Sequence, residues 1–391
     1  MDAVAVERVN ALGARWGREL DFAAGQVWTA LGVWPLLAAL AAGADGPARA
    51  ELAGALGVPA EQAPALAREL LARVNEVPGC AAALGLWTAD EVEVEPGWPA
   101  RLDASMWGKL TGDEAKDRAA LDGWARERTG GLVERIPVEL SGALLVLASA
   151  LTVRTKWAKP FRADRSMTDL GPWAWREYTR LTASGPELYE RIAVARTSAG
   201  PVVEVRVVGD GEVDVHLVLG PEAAGPGAVV AAGFELLSGA ARRTPVADLP
   251  DGAAWPGLEL ESVESSARRN SGTLQTVAFR VRAEHDLLAH ADLFGLGTAA
   301  GPGHHFPGIS RSVPLVVGGA GQAAVAEFSA KGFEAGAVTA VALTRSASSG
   351  LFRFRSRRAT ARFNRPFAFL AVHRPTGLVL VAGWVAEPAT A

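Results

Sequence analysis

"PLVVGGAGQAAVAEFSAKGFEAGAVTAVAL", residues 314–343, admits two physical readings. In one, Pro314 to Val317 form a strand entering a glycine turn, and Gly319, Gly321 and Ala324 fall at the spacing of a dinucleotide-binding loop. In the other, Val316 to Phe328 form a sheet strand, Gly332 is a hinge, and the small residues beyond it form a segment able to move. A phosphate cradle needs a helix directly after the loop, further βα units, and a carboxylate about twenty residues on. Here the helix would have to run through Gly332 and Gly336, and a basic stretch follows in place of paired βα units. A dinucleotide enzyme using Gly319 and Gly321 is therefore the weaker reading.

Working outward, the chain has 391 residues, 49% hydrophobic and 21% charged, a balance typical of folded globular proteins. A net charge of −4 gives no general attraction to nucleic acid or anionic membrane. The Ala-, Gly- and Arg-rich usage reflects a GC-rich coding bias. Cys80 is the single cysteine, so no internal disulfide forms, which suits a reducing compartment. Asp2, Glu7 and Arg8 interrupt the first residues, and no secretory signal is read there; the expected location is the cytoplasm. Phe22 to Ala44 is strongly apolar, but Gln26, Thr29 and Pro35 interrupt it. It reads as a buried strand followed by a buried helix, not as a membrane anchor.

Val6, Val9, Leu12, Trp16 and Leu20 recur at helical spacing over residues 3–20. Residues 48–57 and 61–77 read as further helices, the first closed by Gly57, and residues 118–128 as another ending at Gly130 and Gly131. Residues 80–90 and 143–161 read as buried strands, and "VVEVRVV", a "GDGE" turn and "VDVHLVLG" as a hairpin. "GLVLVAGWVAEP" closes the chain with a strand. Residues 162–200 carry no clear pattern. Without repeats, linkers or a βαβ rhythm, one large α+β domain spanning 1–391 is expected.

Chemistry-bearing motifs are sparse. The six histidines, His216, His285, His290, His304, His305 and His373, form no metal-ligand spacing, and no GxSxG elbow occurs. Cys80, in an apolar strand, reads as an inert core thiol. No catalytic residue, cofactor or metal is expected. "RSASSGLFRFRSRRATARF" (345–363) is unusual: small polar residues, then Arg353, Arg355, Arg357, Arg358 and Arg362. It reads as a solvated loop leading to a charged edge strand, or as a protease-sensitive bait with a basic docking face.

"RFNRPFAFLAVHRPTGLVLVAGWVAEP" (362–388) resembles the C-terminal signature of the serpins, the serine-protease-inhibitor superfamily, through Asn364, Pro366, Phe367, Phe369, the "PTG" turn at 375–377 and Gly383. "LDGWARERTGGLVERIP", "LASALTVRTKWAKPF", "FRVRAEHDLLAHADLFGLG" and "FPGIS" match further landmarks in order, and "VWTALGVWPLLAALAAGADG" resembles the N-terminal strand and helix. The resemblance covers nearly the whole chain and suits a bacterial member. It implies three β-sheets, about nine helices, and a mobile reactive-centre loop over about 332–361. It also implies a monomer that inhibits a serine protease, trypsin-like or elastase-like. The protease cuts the loop and forms an acyl-enzyme, and the cut loop inserts as a new central strand. Much of the family works outside cells, which leaves an extracellular location as the alternative.

The resemblance assigns the hinge to Gly332, Phe333, Glu334, Ala335, Gly336 and Ala337, and the scissile bond to Ser346–Ala347, with Arg345 as alternative bait. Phe333, Ala335, Ala337, Thr339 and Val341 would face inward, and a late-inserting strand needs small uncharged groups there. Phe333 departs from that, with an expected overpacking cost of about 1–3 kcal/mol. At the breach, Trp157 matches, whereas Ala330 replaces the usual glutamate. In the shutter, Thr29 and Gly32 replace serines, Ser149 an asparagine and Gln322 a histidine. These departures keep a second reading open: a non-inhibitory serpin-fold binding protein whose loop does not insert.

Overall fold

The structure of the chain, a computed structural model, describes residues 1–101, 106–168, 171–265, 268–333 and 354–390. Among them are nine α-helices: α1 (Ala3–Glu19), α2 (Ala30–Gly43), α3 (Gly46–Leu56), α4 (Ala63–Asn75), α5 (Glu114–Thr129), α6 (Pro186–Tyr189), α7 (Pro226–Ser238), α8 (Ala291–Phe294) and α9 (Gly297–Ala300). Asp2 caps α1 by accepting the Val4 N–H at 2.7 Å, and the stripe Val6, Val9, Leu12 and Trp16 is buried. The apolar run at 30–43 becomes α2, buried around nearly its whole circumference. No described helix is long and apolar enough to cross a membrane. Gly57 and Gly130 end α3 and α5 in the left-handed conformation that glycine adopts without strain.

The strands are β1 (Gln26–Trp28), β2 (Cys80–Ala89), β3 (Met106–Leu110), β4 (Leu145–Val153), β5 (Thr155–Lys156), β6 (Arg162–Met167), β7 (Glu177–Gly185), β8 (Ile192–Thr197), β9 (Gly200–Val207) and β10 (Val213–Leu219). They continue with β11 (Thr244–Pro245), β12 (Leu258–Ser265), β13 (Ser271–Val277), β14 (Phe279–Asp286), β15 (Gly321–Phe328), β16 (Gly332–Phe333), β17 (Phe354–Arg362), β18 (Phe367–His373) and β19 (Leu378–Val385). One seven-stranded sheet runs β1-β19-β18-β10-β9-β8-β11, and a five-stranded sheet runs β12-β17-β13-β7-β6. The remaining strands form two groups, β3-β2-β4 and β14-β15-β16-β5. Only Arg154 separates β4 from β5, so these groups are two halves of one sheet, parted, among the described residues, between β4 and β15. Three sheets were expected, and that count holds once the split sheet is counted as one.

Every residue of β10, β18 and β19 is buried, as in a strand covered on both faces. The signature residues owe their identities to this packing. Phe369 pairs with Gly383, and a Cβ on Gly383 would lie 2.3 Å from the Phe369 ring, so only glycine fits beneath it.

Several expectations need correction. The strand expected over 143–161 breaks at Arg154, whose N–H turns aside to the Gly79 carbonyl at 2.7 Å. The strand expected from Val316 begins only at Gly321. No helix follows the glycines, and a Cβ on Gly321 would lie 2.1 Å from the Pro137 carbonyl oxygen. Close backbone approach, not a phosphate, explains that glycine, and the dinucleotide reading falls. The span 332–361 is strand at both ends, β16 and the greater part of β17. The described part of the arginine run, Arg355 to Arg362, is not at an edge: β17 lies between β12, antiparallel, and β13, parallel. Nor is it a free basic face, since Arg358 lies 3.7 Å from Glu261, Arg362 2.7 Å from Glu259 and Arg357 3.0 Å from Asp251.

Candidate functional site: a parted sheet and its hinge

Strands β4 and β15 flank a slot. Among the described residues β4 pairs with β2, while β15 pairs with β14 and, at Phe328 alone, with β16. Because β16 is antiparallel to both β15 and β5, the two walls run parallel to each other, and a strand continuing the direction of β16 would meet both of them antiparallel. A cavity of about 40 Å³ lies in the slot, lined by Ser149, Leu151 and Val153 on one wall and Gln322 to Val325 on the other.

The mouth of the slot is built by a tight reversal. Ser329 donates its N–H to the Gly332 carbonyl at 2.9 Å, closing a turn through Ala330 and Lys331. Trp157 holds this turn twice: its backbone N–H reaches the Lys331 carbonyl at 3.0 Å and its indole N–H the Ser329 carbonyl at 2.8 Å. Ala330 has no side chain to form an ion pair, but its carbonyl accepts the Phe161 N–H at 2.8 Å. Gly332 pairs with Lys156, where a Cβ would lie 2.4 Å from the Thr155 carbonyl oxygen. Glycine is needed here for close approach.

Phe333 is the first side chain inside the slot, 2% exposed and paired with Phe328 and Thr155. Its ring centroid lies 6.1 Å from Phe369, which continues through Phe279 at 4.9 Å and Phe328 at 5.2 Å to Trp157 at 4.7 Å. The expected misfit is therefore answered by an aromatic seat, and burying such a ring contributes about 1.5–3 kcal/mol. Glu334, Ala335, Gly336, Ala337, Arg345, Ser346 and Ala347 lie outside the described residues.

Below the mouth, Gln322 grips Thr29 with both ends of its amide. Its Oε1 accepts the Thr29 N–H at 2.9 Å and its Nε2 donates to the Thr29 carbonyl at 2.9 Å. The side chain thus imitates a strand partner for the residue that starts α2. The Thr29 hydroxyl donates to the Leu380 carbonyl at 2.7 Å, tying the same point to β19. A Cβ on Gly32 would meet Ser149 Oγ at 3.1 Å and Gln322 Nε2 at 3.2 Å, so glycine lets α2 approach both walls. Thr29, Gly32, Ser149 and Gln322, the residues expected to form a shutter, are brought together, and the cluster they form is uncharged.

Sequence reasoning set aside one neighbour that matters. His285 stands opposite Gln322 in the β14–β15 ladder, with Nε2 2.8 Å from the Val27 carbonyl oxygen and its ring edge-on to Trp16 at 5.0 Å. Burial pushes its pKa down, so the neutral ring donates to Val27. No local spacing marked it, because its partners lie near the other end of the chain. The remaining candidates are structural. His304 and His305 sit on the backbone carbonyls of Ser310 and Gly301, both at 3.1 Å. Cys80 is buried and its thiol is pushed up to about 12 by desolvation. No group of side chains suited to a metal occurs among the described residues.

The sequence profile described as serpin (serine protease inhibitor) matches residues 23–179 and 259–388, well over half of the chain. No curated protein sequence matches it significantly. Among solved structures, the thermophilic serpin Tengpin in its native state is 13% identical with a TM-score of 0.74, covering 99% of this chain and 95% of that one. Human thyroxine-binding globulin in complex with thyroxine is 15% identical with a TM-score of 0.73, covering 99% and 98%. Cleaved Serpin 42Da is 16% identical with a TM-score of 0.72, again covering 99% and 98%. At such identities the likeness speaks to the fold; the profile match over residues 23–179 and 259–388 places this chain in the serpin family.

Proposed function

We propose that this serpin inhibits serine proteases by taking its own cleaved segment into the slot between β4 and β15. One observation carries the reading: among the described residues the two parallel walls are unpaired with each other below the mouth, and the chain enters between them antiparallel at Gly332–Phe333. The protease serine attacks the carbonyl carbon of Ser346, with Arg345 as alternative bait, and Ala347 leaves as a free amine that takes up the proton. The acyl-enzyme is then linked to a strand whose inward residues, Ala335, Ala337, Thr339 and Val341, are small and uncharged. Each backbone hydrogen bond gained is worth roughly 1 kcal/mol net, so about ten of them form a strong drive.

A second reading, a binding protein on the same fold, draws on Phe333: a hinge residue already seated could hold the segment fixed. The two are separated by cutting the intact chain with a trypsin-like and an elastase-like protease and measuring melting temperature. An inserting chain gains tens of degrees and forms a protease adduct stable to denaturing gels. A cut chain that melts where the intact one did rules out inhibition by this route.

A further inference from the structure

The wall that receives Phe333 is short. Thr155 and Lys156 form β5, and what supports them from behind is the turn joining β9 to β10. The Asp210 N–H donates to the Lys156 carbonyl at 2.8 Å, the Ala158 N–H to the Val208 carbonyl at 3.0 Å, and Trp157 bridges to Gly209. Gly209 is pressed against this wall: a Cβ would lie 2.2 Å from Thr155 Oγ1.

The far side of the same turn is locked by an ion pair that the proposed mechanism does not use. Arg374 meets Asp214 with a fork, Nε to Oδ2 at 2.9 Å and Nη2 to Oδ1 at 2.7 Å. Its Nη2 also donates to the carbonyls of Gly209 at 3.1 Å and Gly211 at 2.9 Å, while Asp214 Oδ1 accepts the Gly209 N–H at 3.1 Å. Both peptide groups flanking Gly209 are thereby fixed by two side chains, and the Asp214 side chain is 1% exposed. A planar five-donor guanidinium suits this task, since a lysine offers one point charge and no fork.

We propose that Asp214 and Arg374 are positioning residues for strand entry: by fixing the Gly209 turn they hold Thr155–Ala158 in register to receive Phe333 and the residues behind it. The part concerning entry after cleavage rests on the inhibitor reading; the part concerning the intact mouth does not. The test compares Arg374→Met, the near-isosteric Asp214→Asn and Arg374→Lys with Arg243→Met. The last breaks a comparable pair on the same sheet, Arg243 to Glu204 at 2.5 Å, away from the turn. In the intact protein, hydrogen exchange at 155–160 and 208–212 should quicken about tenfold in Arg374→Met and Asp214→Asn, less in Arg374→Lys, and not in Arg243→Met. After cleavage, the rise in thermal stability should develop about tenfold more slowly in the first two variants alone. Unchanged exchange in Arg374→Met and Asp214→Asn, or equal effects in Arg243→Met, would overturn the assignment. A wild-type chain that gains no stability on cleavage refutes the inhibitor reading and the entry role with it, while the exchange data still decide the role at the mouth.

Discussion

Replacing Phe333 by alanine separates two opposite views of the hinge by sign. If the ring is seated as described, truncation removes about 1.5–3 kcal/mol of burial and leaves a void, for which buried Phe→Ala changes run to about 3–5 kcal/mol. The ring borders a slot that already holds a cavity of about 40 Å³ and can partly close around the loss. The low end, about 3 kcal/mol, is therefore expected. Unfolding entropy near 2.1 cal/mol/K per residue over 391 residues is about 0.8 kcal/mol/K, so the intact chain should melt about 4 °C lower. If the ring instead overpacks the first slot position, alanine relieves about 1–3 kcal/mol and the melting point rises. Differential scanning calorimetry of the intact variant decides, with Phe333→Leu expected between wild type and alanine. A melting point that rises, or stays within a degree, refutes the aromatic seat.

Gln322→Leu strands the buried Thr29 N–H, while the Thr29 carbonyl keeps the Gly32 N–H at 3.2 Å, so the intact chain should lose about 1–3 kcal/mol in denaturant titration. His285 has a folded pKa below its usual 6.5, so the unfolded chain binds the extra proton more readily. Melting temperature should therefore fall as pH drops below about 6.5, and His285→Gln should flatten that component. Burial alone would raise the Glu204 pKa, but hydrogen bonds from His216 at 2.6 Å and Arg243 at 2.5 Å outweigh it and hold the carboxyl at about 2. Its folded pKa is depressed from 4.5, so its stabilisation is present above that value and is lost as pH falls toward 2; Glu204→Gln should remove this acid-sensitive component in melts between pH 5 and 2.

Much of this was legible in the sequence where the signal was local. The apolar stripe of α1, the glycines closing α3 and α5 and the "GDGE" turn between β9 and β10 each declare themselves within a few residues. What stayed hidden depends on distant partners. β6 has the sequence RADRSM, with no residue buried and no alternation to read. The arginines of β17 look like a solvated edge until Glu259 and Glu261 arrive from β12, some hundred residues earlier. Phe333 reads as a misfit because nothing near it in sequence tells that Phe369 lies against its ring. The resemblance marks Gln322, but its two-ended grip on Thr29 spans 293 residues and leaves no trace in local spacing.

The placement of β17, β18 and β19 has a consequence for the fate of a cut chain. A break anywhere between residues 334 and 353 frees a C-terminal piece that supplies an interior strand to the five-stranded sheet and two interior strands to the seven-stranded one. Their ladders to β12, β13, β10 and β1 do not pass through the break. The nicked protein should therefore travel as one particle in native chromatography and fall into two bands only once denatured, so that cleavage changes the connectivity of the chain without changing its stoichiometry.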